Sequence, residues 1–139
     1  MTIKLEDLVR CVGNNPLYKN HGISGIEYGM CNGYIYIPYS QELAKIAMND
    51  SDYYPFESQL NAHGGITYGN IEPCNIAKYH CPYNRVLDKD EYTKEYICIG
   101  WDTNHLDDND DKWNYHTVIE ENERLAKQLV KVINQRLSL

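Results

Sequence analysis

Apolar residues Leu5, Leu8, Val9 and Val12 recur at helical spacing, and Gly13 and Pro16 follow as a stop. A short N-terminal helix is therefore predicted over Lys4–Val12. Two apolar-rich runs, Ile26–Met30 and Tyr34–Ile37, flank Asn32-Gly33, a dipeptide suited to a tight turn, so a β-hairpin is expected there. Ser40 is placed to cap a helix over Gln41–Met48 that buries Leu43, Ile46 and Ala47. His63–Gly69 and Tyr96–Trp101 look like further strands, and Asn70–Glu95 reads as a long excursion with room for one helical turn. The C-terminus carries the clearest pattern. Thr117-Val118-Ile119-Glu120 has the form of a capping box, and Val118, Leu125, Leu129, Val132 and Ile133 line one stripe beyond it. The pattern predicts one α+β domain over residues 1–139. Its small, mostly antiparallel sheet includes a hairpin and is packed by a long C-terminal helix and shorter helices.

Composition sharpens this picture in two ways. Thirteen Tyr stand against one Phe, so apolar walls in this chain also carry hydroxyls. The net charge is −7, with no Lys/Arg cluster to track a phosphate backbone, so nucleic acid is not an expected partner. No apolar run nears the roughly 18 residues of a membrane span, and the opening residues lack a signal-peptide core, so a cytoplasmic location is expected. Five Cys are an odd number, and free thiols are expected in a reducing compartment.

Two segments concentrate chemistry beside strands. In His63-Gly64-Gly65-Ile66-Thr67-Tyr68, the glycines permit close backbone approach and their N–H groups could cradle an anion, while His63 can move a proton near neutral pH. In Trp101-Asp102-Thr103-Asn104-His105, an apolar strand runs into Asp102 and His105, three apart, a pair able to orient an imidazole for general-base work. Each segment can also be read as a polar turn. The acids of Asp107–Asp111 have the composition of a solvated run. His63, Asp102, His105 and Asp108 are all metal-ligand types, but their spacing matches no ligand signature, so no metal and no other cofactor is expected. Cys74, His80 and Cys81 depart from zinc-site spacing and are expected to be inert.

Taken in order, four blocks resemble a family of short phage and prophage proteins: Gly33–Pro38, His63–Tyr68, Ile99–Asp102 with His105 and Asp108, and Glu123–Leu129. In that family a Gly-Tyr-Val-x-Val-Pro strand precedes a His-Gly-Gly-Leu-Thr-Tyr/Phe block and a Gly-Phe-Asp-Cys-x-His-x-x-Asp block. The likeness spans about Gly33 to Ile133. Trp101 replaces Phe and Thr103 replaces Cys, and Tyr39–Met48 looks helical where the family has a polar loop. The resemblance implies that His63, Asp102 and His105 are more than turn residues. It names no substrate.

By analogy with other small phage proteins, the expected function is a host-immunity antagonist that sequesters a nucleotide-derived signal, such as a cyclic nucleotide or a cyclic ADP-ribose. Tyr34, Tyr68 and Trp101 would stack on a base, Gly64 and Gly65 would donate to phosphate, and Asp102 would accept from ribose or base. Thr67, His63, His105 and Asp108 complete the expected ligand site. The alternative is a phosphodiesterase or related hydrolase with His63 and His105 as acid and base, oriented by Asp102. A third reading is an acidic protein–protein inhibitor. Both nucleotide readings call for Lys78, Arg85 or Arg124 near the pocket to offset the negative charge; self-association into a homo-oligomer is compatible with all three.

Overall fold

The computed structural model describes residues 2–19 and 27–139. Among these residues five strands form one sheet: β1 (Val9–Asn14), β2 (Cys31–Pro38), β3 (Tyr68–Cys74), β4 (Cys81–Pro82) and β5 (Tyr96–Trp101). Their order is β3-β5-β2-β1-β4, and every neighbouring pair is antiparallel. The helices are α1 (Gln41–Ala47), α2 (Lys89–Thr93) and α3 (Tyr115–Leu137). This is the α+β arrangement expected. Among the described residues, no helix is long and apolar enough to cross a membrane.

Side chains alternate across the central strand β2. Ile35 and Ile37 join the main core under α3, where Val118, Leu125, Leu129 and Ile133 are fully buried. Each such side chain contributes roughly 1.5–3 kcal/mol by leaving water. Tyr36 faces the other way, into a second core with Val9, Cys11, Ile76, Tyr96 and Cys98. The excursion after β3 lays Ile76 and Leu87 over that face, so β1, β2 and β5 are apolar on both sides.

That two-sided burial explains the first correction. The predicted helix over Lys4–Val12 is a short 3₁₀ turn, Leu5–Asp7, followed by β1. Leu8 and Val12 pack in the main core while Val9 and Cys11 pack in the second. A strand buried on both faces loses its alternation and mimics helical spacing.

The hairpin is also displaced. Asn32 and Gly33 are not a turn; they lie within β2, opposite Gly13 and Val12 of β1. The antiparallel pair is β1 with β2. A Cβ on residue 33 would collide with the Trp101 indole, so Gly33 serves to admit that ring. Of the expected first arm, Ile26 lies outside the described residues, and Glu27–Gly29 forms no strand.

The remaining elements follow their local chemistry. Ser40 caps α1 by accepting from the Leu43 N–H at 3.1 Å, as expected. Helix α3 starts earlier than Thr117. Asn114 accepts from the Thr117 N–H at 3.1 Å, and Thr117 Oγ1 accepts from the Asn114 N–H at 3.0 Å, so Thr117 is the far member of the box. The charge run at Asp88–Glu91 is a second reciprocal cap, opening α2.

Candidate functional site: two imidazoles on one carboxylate

The expected strand over His63–Gly69 begins only at Tyr68, because Gly64 and Gly65 have φ of +68° and +86°. Residues Ala62–Gly65 instead form a turn closed by the Gly65 N–H on the Ala62 carbonyl at 2.9 Å. Gly64 sits at the third position, where a type II turn requires positive φ. The turn is fastened to α3. The His63 N–H donates to Glu121 Oε2 at 2.9 Å. Arg124 and Gln128 donate to the Asn61 carbonyl at 2.7 and 2.9 Å, and Gln128 Oε1 accepts from the Asn61 N–H.

The second half of the site follows β5. The chain turns at His105–Asp108, with the Asp108 N–H on the His105 carbonyl at 2.8 Å and the His105 N–H on Asp108 Oδ2 at 3.0 Å. This turns Asp108 inward. Its side chain is 3% exposed, unlike the exposed Asp107 and Asp111 beside it. The predicted solvated run therefore holds one buried acid.

Asp108 joins the two segments. One carboxylate oxygen lies 2.9 Å from His63 Nε2, and the other lies 2.7 Å from His105 Nδ1. Burial opposes ionisation of this carboxyl, but the His105 N–H and both rings outweigh it and hold its pKa below the usual value. An ionised carboxylate only accepts, so His63 presents Nε2–H and His105 presents Nδ1–H to it. His105 Nε2 is then the open nitrogen, 3.8 Å from Asp102 Oδ1. Sequence spacing singled out Asp102 as the residue orienting His105; Asp108 makes the shorter contact, and Asp102 stands at the opposite end of the ring.

Gly64 makes this convergence possible. A Cβ there would collide with Cε1 and Nε2 of His105, so the absent side chain lets the two rings approach to 4.9 Å between centroids. Trp113 lies 4.3 Å from the His63 ring and closes the cluster from the loop before α3. Trp113 and Glu121 escaped the sequence reading; Gln128 entered it only as part of the Glu123–Leu129 block, and Arg124 only there and as a source of charge. Nothing in their spacing tied them to residues some sixty positions away.

Beside this unit is a cleft of about 190 Å³ whose walls include Asn32, Tyr34, Thr67, Tyr68, Asp102 and Asn104. A second hollow of about 350 Å³ shares Thr67 and Tyr68 and adds Tyr54, Asn70, Cys74 and Cys98. Burial raises the hydroxyl pKa of Tyr34, and that of Tyr68 to about 12, so both phenols stay protonated. A larger groove, about 560 Å³, runs along the outer side of α3 past Glu120 and Lys127, but it is open and holds no histidine.

Three expected roles change. Trp101 is 1% exposed, with its indole N–H donating to Asn122 at 2.9 Å, so it supports the site from beneath and offers no face for stacking. Gly65 already uses its N–H within the turn. One face of Tyr34 is occupied by His80, stacked at 3.6 Å. None of Lys78, Arg85 and Arg124 lines either hollow; Arg85 pairs with Glu91, and Arg124 forks onto Glu121. Comparison with family models, curated proteins and solved structures finds no match.

Proposed function

We propose that the chain captures a small nucleotide-derived ligand across Tyr68, as a phage-type antagonist of host immune signalling would. The observation that carries this reading is the pair of hollows sharing Thr67 and Tyr68, the smaller of which bears Asp102 next to His105. Ligand sites usually span about 300–1,000 Å³, so the smaller hollow suits one ring or sugar while the larger takes the rest. Half-exposed Tyr68 presents the stacking surface between them, Asp102 accepts from a hydroxyl or amine, and the protonated Tyr34 hydroxyl donates. A ligand with two ring systems joined through phosphate, such as a cyclic dinucleotide or a cyclic ADP-ribose, matches that division.

A second reading is favoured by a separate observation. The His105 side chain is 38% exposed and, with Nδ1 held by Asp108, offers Nε2 as a general base beside the cleft. Cleavage of the bound ligand is the reaction such a base serves.

One experiment separates the two. The protein is incubated with a panel of cyclic dinucleotides and cyclic ADP-ribose isomers, freed of unbound ligand, denatured and analysed by chromatography. Intact ligand in the released fraction supports capture; altered ligand supports cleavage. A panel that emerges unretained and unaltered defeats both.

A further inference from the structure

An anionic ligand meets an electrostatic obstacle here. The chain carries a net charge of −7, and neither hollow is lined by Lys or Arg. We propose that His63, His105 and Asp108 bind one divalent transition-metal ion, through Nε2, Nδ1 and the carboxylate respectively. The ion is the missing positive charge beside the cleft.

The donor set is the first reason. Two imidazoles and a carboxylate are borderline-to-hard ligands that suit Zn²⁺, Mn²⁺ or Fe²⁺. Their ligating atoms all lie within 4.8 Å of one another. Ligands around a tetrahedral ion sit roughly 3.4 Å apart, so displacements on the order of an ångström would seat it. The spacing of these residues matches no ligand signature in the sequence; the turn at Gly64 is what brings His63 to the other two.

The surroundings supply the second reason. A metal-bound imidazole commonly donates its other N–H to a carboxylate, which fixes the ring. Asp102 already stands 3.8 Å from the far nitrogen of His105. On binding, both rings change tautomer: His63 Nε2 and His105 Nδ1 give their lone pairs to the ion, and the protons move to His63 Nδ1 and to His105 Nε2, which faces Asp102. Trp113 and buried Trp101 flank His63 and keep the site partly dry. Three protein ligands leave a four-coordinate ion one position for water or a phosphate oxygen. Two neutral imidazoles and one carboxylate leave it a net charge of +1.

The inference takes only the position of the cleft from the ligand-binding reading. Metal-stripped wild type is titrated with Co²⁺ while tryptophan fluorescence and visible absorption are followed, and Zn²⁺ is then added as competitor. One saturable site per chain is expected, with quenching by Co²⁺ and displacement by Zn²⁺. His63→Ala and His105→Ala should each weaken binding more than Asp102→Asn, whose expected loss is about 10–100-fold. His116→Ala, an exposed histidine paired with Glu120, should leave it unchanged. Circular dichroism checks that each variant folds. Independently of the variants, Zn²⁺ should shift the wild-type ¹⁵N resonances of His63 and His105. Absence of a saturable site, binding retained in both His→Ala proteins, or Zn²⁺ shifts confined to other histidines would overturn the proposal. If the metal binds and no panel nucleotide is retained, the ligand reading fails alone; if nucleotide is retained by a chain with no metal site, the metal proposal fails alone.

Discussion

Residue 64 has no side chain where the ring edge of His105 lies. A Cβ at Gly64 would strike Cε1 and Nε2 of that imidazole, whereas a Cβ at Gly65 would meet open space. Both glycines have positive φ, so alanine at either position carries a backbone penalty of about 1–3 kcal/mol. Only Gly64→Ala should also displace His105. Denaturant unfolding should show comparable backbone costs, while imidazole ¹⁵N spectra should change at His105 in Gly64→Ala and stay near wild type in Gly65→Ala.

Asp108→Asn keeps the shape of the side chain and removes its charge. Hydrogen bonds to charged groups contribute about 1.5–3 kcal/mol, so a loss on that order is expected at pH 7. The Asp108 carboxyl has a lowered pKa in the fold, so its stabilisation is present above the unfolded value and fades as pH falls through the folded one. The stability difference between wild type and Asp108→Asn should therefore shrink in acid. Urea unfolding of both proteins across the acid range reads this directly.

His80 is a second source of acid sensitivity. Burial lowers its pKa to about 4 from the usual 6.5, and its Nδ1 meets the Tyr36 hydroxyl at 2.6 Å. The unfolded chain then binds more protons between those values. Stability should be full above pH 6.5 and should fall by about 2–3 kcal/mol as pH drops towards 4. His80→Gln should flatten that window in a urea-unfolding series without moving the Asp108 effect.

The contacts from α3 to Asn61 should act locally. Gln128→Ala removes two hydrogen bonds to the Asn61 backbone, at about 0.5–1.5 kcal/mol each. Amide hydrogen exchange should accelerate over Asn61–Gly65 and remain slow in β5.

The parts of this fold that were legible in the sequence are those with one-sided or strongly local signals. Ser40 capped α1 where expected, β5 carried its predicted bounds, and the stripe on α3 faced the core. β1 was misread because both its faces are buried, and Asn32-Gly33 because the glycine answers to Trp101, a residue far along the chain. The same limit applied at the site. His63, Asp102, His105 and Asp108 stood out by chemistry, but the dominant partnership of Asp108 with both rings depends on a turn geometry that spacing does not reveal. Trp101 looked like a stacking platform because an aromatic at a strand end often is one. Its burial follows from the space left by Gly33 and the acceptor offered by Asn122.

The central claim is that one ionised carboxylate orders both imidazoles, and histidine tautomers report on it without any ligand. Long-range ¹H–¹⁵N correlation spectra of metal-free protein, recorded above the histidine titration range, distinguish Nδ1–H from Nε2–H in each ring. His63 should be the Nε2–H tautomer and His105 the Nδ1–H tautomer, and Asp108→Asn should release both preferences. A His105 ring found as Nε2–H in metal-free wild type, or tautomers unchanged in Asp108→Asn, would contradict it.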